Sequence, residues 1–366
     1  MKTVGIMIKP ASGLCNMHCD YCFYQDEIRH RGGTVYEMMT LETLRNVIRR
    51  TLLQAEESYS LAFQGGEPTL RGLDFYREAV KLVNRYNRNA VPVSYALQTN
   101  GMLLDEEWAA FLSEHKFLVG LSVDGTAEIH NRYRHAGNKD AFAAVIRSAA
   151  LLDQYHVDYN ILTVVHREVA ERIGEIYRDY RTRGWNYLQF ITCLDPLGEE
   201  PGTRPYSLTP ERYGRFLCDL FDLWYEDAVK KNAPYIRQFD NYLTILAGYP
   251  PEACEHGGIC GLQNVVEADG SIYPCDFYVL NEYCLGNLNH DRLPEAYKRR
   301  DEIGFRERSV IHPEECQNCP WHFICRNGCY RTRTGGTDSC SGKTYFCSAY
   351  RQFFEHSLDK MKSLLS

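Results

Sequence analysis

The sequence predicts an α/β fold in which a partial (β/α)6 barrel of the TIM type precedes a smaller, cysteine-rich domain. Over about the first two hundred residues, six short apolar runs alternate with segments that carry apolar residues at helical spacing. Near-continuous apolar strands alternating with helices are typical of a parallel sheet covered by helices. Six strand–helix units are fewer than the eight of a closed barrel, which favours an open or partial barrel.

The predicted elements follow one another in regular order. Strands are predicted at 4–8, 60–64, 93–98, 117–123, 160–165 and 187–192. Helices are predicted at 41–55, 75–84, 106–112, 142–152, 173–180, 211–230 and 350–365. Turn residues follow three of the strands, as GGEP at 65–68, TNG at 99–101 and DG at 124–125. Because α/β folds place ligand-binding loops at the carboxyl ends of their strands, we expect a site there.

The length of 366 residues predicts two domains at ~150 residues per domain. Residues 1–234 are predicted to form the barrel, and residues 235–366 the cysteine-rich domain with a C-terminal helix. From 254 to 347, glycine, proline and cysteine recur every few residues and sustained periodicity is scarce. Such a stretch builds little apolar core, so metal sites are expected to stabilise it.

The composition excludes several classes of protein. Lys and Arg number 41 and Asp and Glu 48, and the resulting charge of −7 repels nucleic-acid phosphates. No apolar segment approaches the ~18–20 residues that span a bilayer, and the run at 4–8 is too short for a signal peptide. These features predict a cytoplasmic protein that binds neither nucleic acid nor membrane. In that reducing compartment, the 15 cysteines are more typical of metal ligands or catalytic groups than of disulfides.

Three cysteines follow the first predicted strand at C-x3-C-x2-C spacing: Cys15, Cys19 and Cys22. Three thiolates at this spacing can hold one face of an iron–sulfur cube and leave one iron without a protein ligand. An open coordination position is the feature that separates catalytic from structural metal sites. A zinc site with His18 or His30 as fourth ligand is the alternative, and chance spacing is another.

Eight cysteines in the second half suit two sites of four thiolates each. They are Cys254, Cys260, Cys275, Cys316, Cys319, Cys325, Cys329 and Cys347. Zinc ribbons are an equally good interpretation of the spacing alone, because C-x2-C pairs commonly bind zinc. The remaining four cysteines, Cys193, Cys218, Cys284 and Cys340, are assigned to core or surface.

The N-terminal pattern CNMHCDYC resembles the signature of the radical S-adenosylmethionine (SAM) superfamily, and GGEP at 65–68 resembles its second motif. The resemblance implies a catalytic [4Fe–4S] cluster on the three cysteines, with SAM bound at the open iron. It implies SAM contacts from the backbone of Tyr21 and from Gly65, Gly66, Glu67, Ser122, Arg134 and Leu194. Judged as residues alone, Ser122 is an ordinary strand-end hydroxyl and Arg134 a surface charge.

The order of spacings in the second half resembles the SPASM extension of radical SAM peptide-modifying enzymes, with one additional ligand. The resemblance implies two auxiliary [4Fe–4S] clusters and therefore three clusters in all. It assigns Cys254, Cys260, Cys275 and Cys329 to the first auxiliary cluster. It assigns Cys316, Cys319, Cys325 and Cys347 to the second.

Further segments resemble the anaerobic sulfatase-maturating enzymes over about residues 8–354, among them ALQTNG at 96–101, KFLVGLSVDG at 116–125 and YPCDFYVL at 273–280. The resemblance implies oxidation of a cysteine or serine, in the C/S-x-P-x-R motif of an unfolded or nascent sulfatase, to Cα-formylglycine. It implies an electron donor such as flavodoxin or ferredoxin. It also implies that Asp276 is the base and that Tyr24 and Gln64 surround the substrate peptide; a turn aspartate capping a backbone amide is the alternative for Asp276.

Two other functions compete with this interpretation. The first is a radical SAM maturase that installs a thioether or carbon–carbon crosslink in a ribosomal precursor peptide. Such maturases often carry a leader-peptide recognition domain, and no extra domain precedes the first predicted strand, which favours recognition of a short motif in a larger protein. The second is a zinc-stabilised binding module without catalytic activity.

Overall fold

The computed structural model describes residues 3–33, 36–261, 263–334 and 342–365. The chain forms two compact units, and each is assembled from separate stretches of sequence. The first unit comprises Met1–Ser122, Arg134–Tyr159 and Leu262–Phe305, and the second comprises Val123–Tyr133, Asn160–Gly261 and Arg306–Ser366. The division into domains 1–234 and 235–366 stays a prediction.

The predicted strands are present in the structure. The described residues contain β1 (Thr3–Ile8), β2 (His18–Cys19), β3 (Ser58–Phe63), β4 (Val93–Thr99), β5 (Phe117–Ser122), β6 (Arg134–His135), β7 (Tyr159–Val165), β8 (Tyr187–Thr192), β9 (Tyr235–Ile236), β10 (Val265–Val266) and β11 (Ile272–Tyr273). The six predicted strands correspond to β1, β3, β4, β5, β7 and β8, with ends that differ by two residues or fewer. The two-residue strands escaped prediction because they are too short to show periodicity.

The predicted helices are present as well. The described residues contain α1 (Phe23–His30), α2 (Leu41–Leu52), α3 (Leu73–Tyr86), α4 (Glu106–Glu114), α5 (Ala127–Tyr133), α6 (Ala141–Gln154), α7 (Arg167–Glu171), α8 (Ile173–Thr182), α9 (Pro210–Val229), α10 (Arg237–Leu246), α11 (Leu293–Ile303), α12 (Phe305–Ser309), α13 (Glu314–Gln317), α14 (His322–Cys325) and α15 (Cys347–Ser363). The seven predicted helices correspond to α2, α3, α4, α6, α8, α9 and α15. No helix in the described ranges is both long and apolar enough to cross a membrane.

The strands of the first unit lie in the order β11-β10-β1-β3-β4-β5. All neighbours are parallel except β10 and β11, which form an antiparallel pair. The register places Ile6 opposite Leu61 and Leu97 opposite Val119. Because the strands run in one direction, the carboxyl ends of β1, β3, β4 and β5 share one edge of the sheet, and the loops that leave them meet there.

Buried apolar side chains on alternate residues of the strands pack this sheet against its helices. Val4, Ile6 and Ile8 of β1 are at most 2% exposed, whereas the residues between them are less buried. Phe63 of β3 packs against Tyr76 of α3 with ring centroids 4.8 Å apart. The sheet is therefore covered by helices, as its apolar strands predict.

The second unit contains β7, β8 and β9, which are also parallel. Three of its helices meet through aromatic rings: Phe221 of α9, Phe239 of α10 and Phe353 of α15 have ring centroids 5.3–5.9 Å apart. All three rings are fully buried. The C-terminal helix thus supplies apolar core to the second unit.

Candidate active site

The three N-terminal cysteines lie between β1 and α1. Cys19 belongs to β2, whose antiparallel pairing with β6 sets Cys19 opposite Arg134. Cys22 immediately precedes α1 and so lies at the positive end of that helix. Desolvation raises the pKa of the Cys22 thiol, and the positive charge of Arg134 offsets part of the rise. The positive charge of Arg134 thus reduces, but does not cancel, the cost of forming the thiolate that a metal ligand requires.

The GGEP loop lies directly against this cysteine loop. Gly65 and Gly66 have φ angles of 91° and 52°, in the left-handed region that favours glycine. A Cβ atom on Gly66 would lie 2.2 Å from the carbonyl oxygen of Leu14. The same carbonyl accepts a hydrogen bond from the Glu67 amide at 2.8 Å. Only glycine permits this close approach of the two backbones.

The Glu67 side chain holds the GGEP loop to the end of β4. Its Oε1 accepts hydrogen bonds from the amide and hydroxyl of Thr69 at 3.0 and 2.6 Å and from the Thr99 hydroxyl at 2.7 Å. Its Oε2 accepts from the Asn100 amide at 2.8 Å. Burial raises the pKa of Glu67, and these donors offset part of the rise. The carboxylate therefore positions the loop, and its role as a SAM contact stays a prediction.

Of the other predicted SAM contacts, three lie in the first unit. The guanidinium carbon of Arg134 is 5.7 Å from the ring centroid of Tyr21. Arg134 is 8% exposed, so the surface-charge interpretation is wrong for it. Ser122 is equally buried, at the end of β5. Leu194 follows β8 in the second unit and is half-buried.

Asp276, Tyr24 and Gln64 come together although they are far apart in sequence. Asp276 Oδ2 accepts hydrogen bonds from the Tyr24 hydroxyl and from Gln64 Nε2, both at 2.8 Å. Gln64 Nε2 also lies 2.8 Å from the Tyr24 hydroxyl oxygen. Asp276 is 5% exposed and begins a short 3-10 helix that has no side-chain cap. The capping interpretation requires the carboxylate to accept from backbone amides of its own turn. The Asp276 carboxylate instead accepts from the side chains of Tyr24 and Gln64.

A group of buried charges that the sequence did not single out lies behind Asp276. Lys9 Nζ is 3.4 Å from Glu27 Oε2, 3.6 Å from Glu267 Oε1 and 3.7 Å from Asp276 Oδ1. Arg31 Nη1 donates to Glu267 Oε1 at 3.0 Å. Lys9, Glu27, Glu267, Arg31 and Asp276 are each 5% exposed or less, and we call these five residues the charge cage. Two cations here face three carboxylates, so the cage is short of one positive charge.

The pKa values in the cage follow from this imbalance. Burial raises the pKa of Glu27 to about 8; the attraction of Lys9 opposes the rise, and Asp276 adds to it. Burial also raises the pKa of Asp276, against the attraction of Lys9. For Glu267, burial is outweighed by Lys9 and Arg31, which lower its pKa. For Lys9, burial is likewise outweighed, and the three carboxylates raise its pKa.

Replacing Glu27 with Gln is expected to flatten the dependence of thermal stability on pH between pH 5 and 8. The folded-state pKa of Glu27, about 8, lies above its ordinary value of 4.5, so the folded chain binds a proton that the unfolded chain releases. The stability that Glu27 contributes is therefore fully present below pH 4.5 and lost as the pH rises through 8. Anaerobic melting temperatures over this range test it. Equal slopes for Glu27→Gln and the unmodified protein would contradict it.

Two cysteines of the second unit, Cys325 and Cys329, have different thiols as electrostatic neighbours. One predicted set consists of Cys316, Cys319, Cys325 and Cys347. Burial raises the pKa of Cys325 to about 12, and the charges of the other members of this set add to the rise. Burial also raises the pKa of Cys329, but the thiols that add to this rise are Cys254 and Cys260. Cys275, the predicted fourth member of that set, lies in the first unit beside Asp276.

The cysteines outside these sets carry no assigned chemistry. Cys193 and Cys218 are buried and Cys284 is half-buried. Cys340 falls outside the described residues. In the described part of the chain, no three His, Cys, Asp or Glu side chains converge on one point as ligands of a single metal ion. In an iron–sulfur cube each thiolate binds its own iron, so convergence of that kind is not needed.

Two family models match the chain. The radical SAM superfamily model matches residues 10–180, and the SPASM iron–sulfur cluster-binding domain matches residues 260–320. A cysteine-type anaerobic sulfatase-maturating enzyme of Clostridium perfringens is 44% identical, covering 99% of this chain and 98% of that protein. One of Clostridium novyi is 41% identical, covering 99% and 97%. The chain belongs to the anaerobic sulfatase-maturating enzymes.

A more distant sulfatase-maturating enzyme and two solved structures are also similar to the enzyme. A serine-type anaerobic sulfatase-maturating enzyme of Bacteroides thetaiotaomicron is 31% identical, covering 97% of this chain and 89% of that protein. Among solved structures, anSMEcpe with bound AdoMet and Kp18Cys peptide superposes with a TM-score of 0.93 at 42% identity, covering 99% of both chains. Streptococcus suis SuiB bound to precursor peptide SuiA gives 0.65 at 14% identity, covering 94% and 76%, which shows a common fold alone.

As a radical SAM enzyme with a SPASM domain, the enzyme uses SAM and three [4Fe–4S] clusters. Its residues fit these groups. The predicted ligands are soft thiolates, which iron–sulfur clusters require. Burial holds the pKa of Cys22 and Cys325 high, so these thiols ionise only beside a strong positive charge, which iron supplies. The absent Cβ of Gly66 also lets the GGEP loop reach the cysteine loop.

Proposed function

We propose that the chain oxidises a cysteine or serine side chain, in a C/S-x-P-x-R motif of an unfolded or nascent sulfatase, to Cα-formylglycine. The observation that carries the proposal is the buried Asp276 carboxylate, held by Tyr24 and Gln64 at 2.8 Å. An oxidation of this kind releases a proton from Sγ or Oγ, and a carboxylate with a raised pKa is a suitable acceptor.

The residues divide the chemistry as follows. When bound, SAM and its cluster supply hydrogen-atom abstraction at the substrate Cβ, and the auxiliary clusters supply an electron acceptor. Asp276 accepts the proton from the substrate sulfur or oxygen. Tyr24 and Gln64 donate to one oxygen of Asp276 and so fix the plane of its carboxylate. The product is an aldehyde directly for serine, or a thioaldehyde that water hydrolyses for cysteine.

The assignment of cofactor residues belongs to the same proposal. Cys15, Cys19 and Cys22 hold the catalytic cluster, and the two sets of four predicted from the sequence hold the auxiliary clusters. The SAM contacts are Tyr21, Gly65, Gly66, Glu67, Ser122, Arg134 and Leu194. The separation of Cys329 from the set that contains Cys325 supports this grouping.

Cysteine is the proposed residue for oxidation. The relatives named cysteine-type are 41–44% identical to this chain, whereas those named serine-type are 31% identical. A peptide substrate is further supported by the solved structures of anSMEcpe with bound AdoMet and Cys-named peptides.

A cytoplasmic location and a flavodoxin or ferredoxin as electron donor complete the proposal. No disulfide joins any two of the described cysteines, which suits a reducing compartment. A low-potential donor is part of the proposal because the catalytic cluster has to be reduced before it can cleave SAM.

The test is an anaerobic incubation of the reconstituted protein with SAM, a reductant and a C-x-P-x-R peptide. Formylglycine replaces the cysteine sulfur with oxygen and removes two hydrogens, and it reacts with hydrazine. That mass change with hydrazine reactivity is the expected result. Loss of two hydrogens without an aldehyde would instead support crosslinking or dehydrogenation. A serine peptide of the same sequence, oxidised more slowly, is the matched test of cysteine preference.

A further inference from the structure

Lys9 lies at the centre of the charge cage. Its ammonium group is within 3.4–3.7 Å of carboxylate oxygens of Glu27, Glu267 and Asp276. It also lies 4.3 Å from the centroid of the Tyr24 ring, in cation–π geometry. Lys9 is 1% exposed, so the cage, not water, fixes where this charge lies.

Glu27 and Glu267 are themselves anchored. Glu27 Oε1 accepts a hydrogen bond from the Val279 amide at 3.3 Å. Glu267 Oε1 is paired with Arg31 at 3.0 Å. Because both carboxylates are tied to other parts of the first unit, they hold the Lys9 ammonium at a defined point rather than following its movement.

The stem of Lys9 is fixed as well. A Cβ atom on Gly65 would lie 2.6 Å from Lys9 Cε and 2.7 Å from its Cγ. The first glycine of the GGEP loop thus leaves room for the lysine stem to pass beneath it. Lys9 follows β1 directly, so the sheet sets its Cα position.

The two oxygens of Asp276 have different partners. Oδ2 receives hydrogen bonds from Tyr24 and Gln64. Oδ1 has no hydrogen-bond donor among the described residues, and the Lys9 ammonium at 3.7 Å is its counter-charge. If Lys9 were absent, a buried carboxylate oxygen would face two other carboxylates with no cation between them, which disfavours this orientation.

We propose that Lys9, anchored by Glu27 and Glu267, is a positioning residue that holds Asp276 in the orientation in which it takes the substrate proton. This inference rests on the proposed function, in which Asp276 is the base. The proton passes from the substrate Sγ to Asp276, and Lys9 keeps its own protons and charge throughout. Lys9 therefore affects how much aldehyde is formed for each SAM that is cleaved, and it does not affect SAM cleavage itself.

The test separates position from charge. Lys9→Met leaves one cation facing three carboxylates, which is expected to lower stability. Measured above pH 8, where Glu27 is ionised, Lys9→Met combined with Glu27→Gln removes one charge of each sign and restores the net charge of the cage. The expected result is that the double variant recovers the melting temperature and iron content lost in the single variant. We expect it to form roughly 10- to 100-fold less aldehyde per 5′-deoxyadenosine than the unmodified enzyme.

Two further measurements complete the design. Peptide affinity, measured without reductant so that no turnover occurs, is expected to stay within about twofold of the unmodified enzyme, because Lys9 contacts the cage. Lys81→Met makes the same substitution at an exposed lysine of the first unit and serves as the control. The ratio of the two products does not depend on how much protein is folded, since both come from the same active molecules.

Each outcome bears on the inference. If the double variant formed as much aldehyde per 5′-deoxyadenosine as the unmodified enzyme, the inference would be overturned. Lys9 would then have only a charge-balancing role. A large loss of peptide affinity would overturn it in favour of a binding role. Failure of the unmodified enzyme to form any aldehyde would instead contradict the proposed function, whatever Lys9 does.

Discussion

Asp276→Asn is expected to reduce formylglycine formation by about 10²- to 10⁴-fold while cleavage of SAM to 5′-deoxyadenosine continues. Asparagine has nearly the same shape, and its side-chain oxygen can still accept hydrogen bonds from Tyr24 and Gln64. It has no carboxylate that can take the substrate proton. The substitution therefore removes the base and its ion pair with Lys9 but keeps the shape of the side chain and the two hydrogen bonds, and the effect falls on the oxidation of the peptide.

The measurement is chromatography of 5′-deoxyadenosine together with mass spectrometry of the hydrazine-trapped peptide. Tyr24→Phe is the matched comparison, because it removes one hydrogen bond to Asp276 Oδ2 and keeps the carboxylate. We expect it to lose only about tenfold, in keeping with one hydrogen bond to a charged group. Full aldehyde yield from Asp276→Asn would show that another group takes the proton.

The strands of the parallel sheet were predictable because each of them leaves a short apolar run in the sequence. The run at 187–192 became β8 with the same ends, and the run at 117–123 became β5 with one residue fewer. The pair β10 and β11 was not predictable, because two residues each show no period. Their hairpin extends the sheet next to β1 and carries the chain to Asp276.

In the active site, local patterns were predictable from the sequence, whereas contacts between residues distant in sequence were not. The spacing of Cys15, Cys19 and Cys22 is local, so the sequence shows it directly. The contact between Tyr24 and Asp276 joins residues 252 positions apart, and it was not predicted; the family resemblance gave each residue a role but no contact between them. Sequence reading missed Lys9 altogether, because a charged residue after a strand ordinarily indicates solvent. The available signal was its position directly after a strand with one fully buried face, on the edge that carries the site.

The amino-acid composition did not reveal the charge cage, because net charge does not depend on whether a charged residue is buried. A lysine or glutamate contributes equally to net charge whether it is buried or exposed. Glu267 even follows two buried valines, where it reads as the end of a strand. Only the folded arrangement shows that Lys9, Glu27 and Glu267 face one another.

Replacement of Cys15, Cys19 and Cys22 together with alanine is expected to abolish SAM cleavage. The substitutions remove every proposed protein ligand of the catalytic cluster and leave the eight auxiliary cysteines unchanged. Iron content should fall from about twelve to about eight per chain, and the protein should remain brown. Iron and sulfide analysis, with chromatography of 5′-deoxyadenosine, measures both effects.

The matched control for this variant is Cys284→Ala, which removes a half-buried thiol of the first unit that belongs to no proposed cluster. It should keep about twelve irons and cleave SAM at the unmodified rate. The comparison separates ligand loss from the general effect of removing a cysteine, because both variants lose thiols from the same unit. Retention of all iron by the triple variant would contradict the assignment of the catalytic cluster. Loss of iron well below eight would show that the auxiliary clusters depend on the catalytic cluster for their stability.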